Sequence, residues 1–311
     1  CLEWLKGMDE ASHKDERVVS ATSEVSFGWR TSAQVGSNGF SGTQTGTRIG
    51  YGSVVTLREG DHGRPEASRF VNGRHLEDLP DPGDIAAEAL NRAVDRLGSE
   101  KGVSRRSTMV VDPEAGGRLF GSLLGALSAQ SVQQNRSFLA DKQGEQIGSE
   151  VLTLIDDPLV RRGSGSRYFD GEGISAKVMP VIENGVLKQF YIDTYYGRKL
   201  DWRPTTGGVS NLVLAPGEND LDGLLKEAGE GFYITGWLGG NADSTSGDFS
   251  IGFRGHQIEA GEKGRPVSEM NITGNLTDLM GQLVAVGNDP NPWSSMRTPT
   301  LVFEGVEFSG R

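Results

Sequence analysis

VVDPEAGGRLFGSLLGALSAQSVQQNRSF, residues Val110 to Phe138, is the stretch whose reading decides the fold. Met109, Val110 and Val111 read as the end of a short buried strand. Asp112 then stands where a helix N-cap accepts backbone N–H groups, and Pro113 suits the first helical position, where no N–H is needed. Leu119, Phe120, Leu123, Leu124 and Leu127 recur at three- and four-residue steps, so one face of the predicted helix points at a core.

Working outward, strands dominate. Leu2 to Ser12 reads as the end of a helix with Leu2, Leu5 and Met8 on one face. Arg17 to Arg58 reads as a meander turning at Ser37-Asn38-Gly39-Phe40, because Asn-Gly suits a tight hairpin. Asp61 to Pro82 is polar and reads as a surface connection or strand edge. Asp84 to Leu97 carries an apolar stripe of Ile85, Ala89, Ala93 and Leu97 and is stopped by Gly98. Two further hairpins follow: Lys177 to Glu183 with Val186 to Asp193 about Asn184-Gly185, and Phe249 to Ile258 with Val267 to Ile272 through Gly261 to Gly264. Short helices are predicted at Leu221 to Glu227 and Leu276 to Leu283. The fold class is therefore α+β and β-rich, with antiparallel meanders and hairpins plus a few packed helices. A soft boundary near Lys101 to Arg106 divides residues 1–105, a meander and amphipathic helix, from a β-rich body at 106–311.

Composition narrows the function. Glycine supplies 45 of 311 residues, about twice its usual share of ~7%, as many turns and close backbone approaches require. With 42 acidic against 31 basic side chains the formal charge is −11, which disfavours direct binding to a phosphate backbone. No run approaches the ~18 apolar residues of a membrane span. A single cysteine, Cys1, excludes an internal disulfide framework and fits a reducing compartment, so a cytoplasmic location is expected.

The order of several motifs resembles the TldD/PmbA family, once called modulators of DNA gyrase. Besides the Asp112 helix they are VLTLIDDPLV (151–160), GSRYFDGEGISA (165–176), VIENGVLKQFYIDTYYGRKL (181–200), TTGGVSNLVL (205–214), SGDFSIGFRG (246–255), PVSEMNITGNL (266–276), VAVGND (284–289) and TPTLVFEGVEFSG (298–310). The peptidase branch of that family carries H-E-x-x-x-H on this helix, two histidines binding zinc and the glutamate activating water. By the register of the flanking leucines those positions here are Gly121, Ser122 and Ala126. Glycine and alanine have no donor atom, and a lone serine hydroxyl is a poor zinc ligand beside imidazole, thiolate or carboxylate. The catalytic branch also uses a cysteine near its C-terminus, whereas the cysteine here is Cys1. The wording resembles the PmbA-like, or TldE, branch. The resemblance implies an additional N-terminal α/β region preceding residue 1, and no catalytic residue, metal or cofactor in this chain. It implies zinc in a TldD-type partner, and unfolded peptide as the substrate of a shared assembly.

Other constellations carry weaker chemistry. His13, His62, His75 and His256 lie far apart in polar surroundings and read as surface residues. Gly239-Gly240-Asn241-Ala242-Asp243 with Asp248 offers oxygen ligands for calcium, but a structural turn is favoured because the closing glutamate of a calcium loop is missing. Arg167, Asp170, Glu172, Asp193 and Arg198 gather charge around the central hairpin and are candidate peptide- or interface-contacting residues. In an extended chain Asp170 and Glu172 face the same side. They read either as an acid/base pair or as an ion-paired strand edge. Three functions stay in play: a non-catalytic subunit paired with a TldD-like zinc peptidase, a stand-alone hydrolase using Asp170 and Glu172 or other ligands, and a self-associating peptide-binding homodimer.

Overall fold

Gly39, at φ +87°, reverses the chain between two long strands, and Asn38 accepts a 3.1 Å hydrogen bond from the Phe40 amide. The Asn-Gly turn therefore does what its left-handed backbone permits. The computed structural model describes residues 1–61 and 63–311; His62 lies outside the described residues. The chain divides into two units, one of residues 1–99 with 161–164 and one of residues 100–160 with 165–311. No helix among the described residues is long and apolar enough to cross a membrane.

In the first unit, helix α1 (Leu2–Ser12) precedes strands β1 (Val18–Val35), β2 (Ser41–Leu57) and β3 (Glu66–Gly73), then a single 3-10 turn (Leu76–Asp78) and helix α2 (Pro82–Val94). The strands form an antiparallel sheet in the order β1-β2-β3. β3 falls in the polar segment expected as a connection or strand edge, and its alternate residues Ala67, Arg69 and Val71 are buried. Val55, Leu57 and Ala67 meet Ala89, Leu90 and Ala93 of α2 in a small core. Buried Arg69 reaches Glu88 of α2 at 3.0 Å, and Glu88 also takes Arg92 at 2.6 Å. Helix α2 starts earlier than its apolar stripe predicts because Asp81 caps it through the Gly83 amide at 2.8 Å with Pro82 at the first position.

The second unit runs β4 (Arg105–Val111), α3 (Pro113–Ala126), α4 (Ala129–Gln133), β5 (Leu154–Asp156), β6 (Met179–Glu183), β7 (Val186–Leu187), α5 (Thr194–Leu200), β8 (Leu212–Leu214), α6 (Leu221–Ala228), β9 (Gly231–Ala242), β10 (Asp248–Glu259), β11 (Glu262–Asn275), α7 (Leu276–Gly281), β12 (Leu283–Val286), β13 (Met296–Arg297) and β14 (Leu301–Ser309). One sheet has the order β11-β10-β9-β4-β14-β12. β14 pairs with β12 through Leu301–Phe303 and with β11 through Phe308 and Ser309, so the strands β4-β9-β10-β11-β14 close on themselves. A second sheet has the order β13-β8-β5-β6-β7. Phe232, Phe253 and Phe308 meet with ring centroids 4.5 to 6.0 Å apart inside the closed strands, the offset and edge geometry aromatic quadrupoles favour.

Asp112 holds the helix expected from the opening stretch. Its amide donates to Ile234 O at 2.9 Å, one carboxylate oxygen accepts from the Glu114 amide at 2.9 Å, and the other accepts from the Tyr233 hydroxyl at 2.5 Å. Leu119, Phe120, Leu123 and Leu127 are each no more than 1% exposed, while the other face of α3 looks outward. Replacing Asp112 by alanine removes the cap and the bond from the Tyr233 hydroxyl. We expect a loss of about 2 kcal/mol in urea denaturation, at the upper end of N-cap deletions, and a smaller loss for Tyr233→Phe.

Candidate functional site

The outward face of α3 is the place to test for metal chemistry. Gly121 is exposed, and a methyl group built on it would meet no atom within 4 Å. Ser122 is half-buried and its hydroxyl donates to Arg118 O at 3.2 Å. Ala126 is fully buried in the main core cluster. The three positions offer one hydroxyl, already engaged with its own helix, and point in different directions. Such a donor set does not fit zinc, which takes imidazole, thiolate or carboxylate. Two neighbours fix this face: Arg118 donates to Gly239 O at 3.1 Å and Gly240 O at 2.8 Å, and the Trp237 indole donates to Ala115 O at 2.9 Å.

The charged group around the central hairpin resolves into two arrangements. Asp170, 7% exposed, accepts from the Glu172 amide at 2.9 Å, the Ile174 amide at 3.0 Å and the Thr206 hydroxyl at 3.2 Å. These bonds curl residues 170–174 into a turn, so Asp170 and Glu172 do not share the face of an extended strand as their spacing suggested. Glu172 instead accepts from the Thr194 amide at 2.8 Å and from the Thr194 hydroxyl, at the start of α5. Asp193 caps the same helix through the Tyr196 amide at 2.6 Å, and Arg198 lies exposed in its last turn. Anions at the N-terminus and a cation at the C-terminus suit the dipole of α5.

Arg167 joins the buried half of this region. Its guanidinium donates to Val209 O at 3.2 Å, to the Thr206 hydroxyl at 3.1 Å and to Gly208 O, while its Nε is buried with no hydrogen-bond partner. Thr206 thus links Arg167 to Asp170. Beside it, Asp156, 2% exposed, accepts from the Ser210 amide at 3.0 and 3.1 Å and from the Ser210 hydroxyl. Asn211, fully buried, accepts from the Gly165 amide at 2.9 Å and donates to Asp157 O at 2.7 Å and Ser166 Oγ at 2.9 Å. Gly165 is needed there, since a methyl group on it would sit 2.2 Å from Ser210 O. Charge alone picked out Arg167 and Asp170 but not Asp156, Thr206, Ser210 or Asn211. The usable signal for those four was the segments 151–160 and 205–214, which meet here.

Tyr191 OH is buried beside the Asp156 carboxylate without a well-formed hydrogen bond, and burial first, then that carboxylate, pushes its pKa far above the usual phenol range. Among the histidines, His13 is exposed and bonds Asp9 O at 2.9 Å, and His75 precedes the 3-10 turn. His256 corrects the surface reading: it is 5% exposed, between β9 and β11 at residues paired with Tyr233 and Pro266. Register shifts on both sides of it break the alternation, so that Gly255 and His256 are both buried. Gly239 to Ala242 end β9 and Asp248 begins β10, with the turn between them at 243–247: Asp243 N donates to Asp248 O at 2.8 Å and the Asp243 carboxylate accepts from Thr245 N at 2.7 Å.

Two outcomes follow from these placements. Ala126→His overfills the core and is expected to lower stability by about 1–3 kcal/mol, whereas Gly121→Ala fits open space and raises it by about 0.5–1 kcal/mol; thermal melts of both variants decide. The raised Tyr191 pKa keeps the folded state protonated where the unfolded chain, with an ordinary phenol near 10.0, ionises. Its stabilising contribution is therefore complete below pH ~10 and declines above it by about 1.4 kcal/mol per pH unit. Tyr191→Phe should flatten that part of the stability–pH curve, measured by urea midpoints at alkaline pH; an unaltered slope refutes the assignment.

Family models match nearly the whole chain: the PmbA/TldA metallopeptidase central domain over residues 1–97 and the C-terminal domain over residues 104–310. The chain is 30% identical to the metalloprotease PmbA of Escherichia coli O157:H7 over all of its own length and 70% of that protein's. It spans 59% of a PmbA homologue from Buchnera aphidicola at 28% identity. Among solved structures, it resembles a Bacteroides thetaiotaomicron protein named for modulation of DNA gyrase, with TM-score 0.96, 42% identity, and coverage of 100% of this chain and 71% of that one. It also resembles TldE from Thermococcus kodakarensis, with TM-score 0.88, 26% identity, and coverage of 99% and 74%. The fold and its order of motifs have these relatives in common, and the chain belongs to the PmbA/TldD metallopeptidase family.

Proposed function

We propose that this chain is a non-catalytic, PmbA/TldE-like subunit that works with a homologous zinc-bearing TldD-type subunit in processing unfolded peptides. The observation that carries the reading is the donor set on α3: Gly121 and Ala126 supply no ligand, and the Ser122 hydroxyl is bonded to Arg118 O at 3.2 Å. A related protein from Saccharolobus solfataricus, 27% identical over 252 residues, is named a zinc metalloprotease TldD homologue, so both kinds of subunit occur among the relatives. The likeness to TldE from Thermococcus kodakarensis supports the same branch.

In this reading the chain's own groups supply scaffolding and peptide contact, not bond cleavage. Arg167, Asp170, Glu172, Asp193 and Arg198 are assigned to support or contact of peptide and partner. The hydrogen bonds of Arg167, Asp170, Glu172 and Asp193 hold the glycine-rich segment 205–211 and the start of α5 in place. Strand edges offer main-chain groups to an extended peptide whatever its side chains, the usual logic of β-strand addition. A cytoplasmic setting belongs to the same proposal, with no role for direct nucleic-acid binding. No observation favours the stand-alone hydrolase, because the carboxylates of Asp170 and Glu172 are both engaged in shaping backbone.

The test is cleavage of an unfolded polypeptide by the full-length protein, by a TldD-type subunit from the same source, and by their mixture, with zinc content measured on each. The expected result is no zinc and no chelator-sensitive cleavage for this chain alone, and faster cleavage by the mixture than by the partner alone. One-to-one zinc with peptidase activity in this chain alone, or unchanged partner activity on mixing, overturns the proposal.

A further inference from the structure

The sheet of the first unit ends on a strand that nothing among the described residues pairs with: β1 bonds β2 on one side, and its other edge is the edge of the sheet. Exposed edges are usually blunted by proline, lysine or a short strand. β1 has 18 residues, VVSATSEVSFGWRTSAQV, with no proline and no lysine. It exposes large apolar side chains instead, Trp29 at 78%, Val35 at 81% and Phe27 at 51%.

Hydrogen-bond parity says which residues face outward. The Gly36 amide closes the hairpin on Phe40 O at 2.9 Å, so the even-numbered residues of β1 turn their main-chain groups toward β2. The odd-numbered residues from Ala21 to Ala33 therefore present N–H and C=O to the outer edge. Cross-strand hydroxyl pairs agree: Thr31–Thr45 at 2.9 Å and Ser23–Ser53 at 2.8 Å lie at odd positions, where side chains approach because the backbone groups point away.

We propose that this edge pairs with the same edge of a second copy of the chain, antiparallel, about a two-fold axis at Phe27. That register places Glu24 opposite Arg30 of the second copy and, by symmetry, Arg30 opposite Glu24. These are the charged residues of β1, and both are exposed. They also fall at positions that do not hydrogen-bond across the new edge, where opposing side chains are closest. The same register sets Val25 against Trp29, Ala21 against Ala33 and Phe27 against itself, so the apolar face continues across the axis. A slip by one residue presents main-chain groups already bonded to β2. A slip by two separates both charge pairs, leaving Glu24 opposite Gly28 or Ser32 and Arg30 opposite Thr22 or Ser26, none of them charged. Self-complementarity of this kind is what an isologous interface requires. The inference concerns the unit carrying β1 and stands independently of whether a catalytic partner exists.

Sedimentation velocity of the full-length protein over a concentration series tests it. The expected result is a dimer for the unaltered chain and dimerisation weakened by about tenfold or more for Glu24→Arg and for Arg30→Glu, since each sets like charges opposite one another twice. The double variant, Glu24→Arg with Arg30→Glu, should recover most of the loss. Ala33→Pro removes an outward N–H, leaves the β1–β2 ladder intact and should also weaken the dimer, with thermal melting reporting that the unit remains folded. A monomer at all concentrations, single variants that dimerise normally, or a double variant no better than the singles overturns the proposal. So does an edge that a TldD-type subunit occupies while this chain alone stays monomeric.

Discussion

The second unit is organised by bonds made at Asp112. Its amide ties β4 to β9, one carboxylate oxygen caps α3, and the other takes the Tyr233 hydroxyl. A single residue thereby sets the direction and the rotation of the helix relative to the sheet beneath it. Because the helix has 3.6 residues per turn, fixing its start fixes which side chains turn inward along its whole length. Leu119, Phe120, Leu123 and Ala126 go to the core, and Gly121 goes to the outside. The packing of the core and the exposure of Gly121 are consequences of one rotational setting acting on different residues.

Around that junction, polar groups do the positioning that short strands cannot do alone. β5 and β8 have three residues each and β7 and β13 two, too few for a ladder of their own to specify register. Asp156 gripping Ser210, Asn211 gripping Gly165, and Arg167 joined through Thr206 to Asp170 supply the missing constraints. Buried polar groups of this kind are favourable only when their partners are in place. That gives the region a defined geometry and explains why charges resembling a reactive carboxylate pair serve the backbone.

The first unit solves a different problem. Its small core beneath α2 covers the β2–β3 side of the sheet near Val55 and Ala67, while the far part of the β1–β2 hairpin carries little apolar cover. Trp4 of α1 reaches Phe27 and Tyr51, with ring centroids 5.7 and 5.9 Å away, and beyond Phe27 the apolar residues of β1 are exposed.

Sequence alone determined the features governed by near neighbours. The cap at Asp112, the turns at Asn38-Gly39 and Asn184-Gly185, the α2 stripe and the lack of any ligand atom in the side chains of Gly121 and Ala126 were all legible, because backbone preference, helical period and side-chain chemistry are local properties. The resemblance across eight further segments carried the family. Tertiary structure decided the rest: that Asp170 and Glu172 part company around a turn, that β7 stops at Leu187 where a strand was expected as far as Asp193, with Tyr191 bonded instead to Leu127 O, and that His256 is buried among polar sequence neighbours. Each of these depends on a residue more than twenty positions away, such as Thr206 for Asp170 or Thr194 for Glu172. A hydrogen-bond partner brought in by the fold can outweigh the preference of the segment itself, and no local pattern announces it.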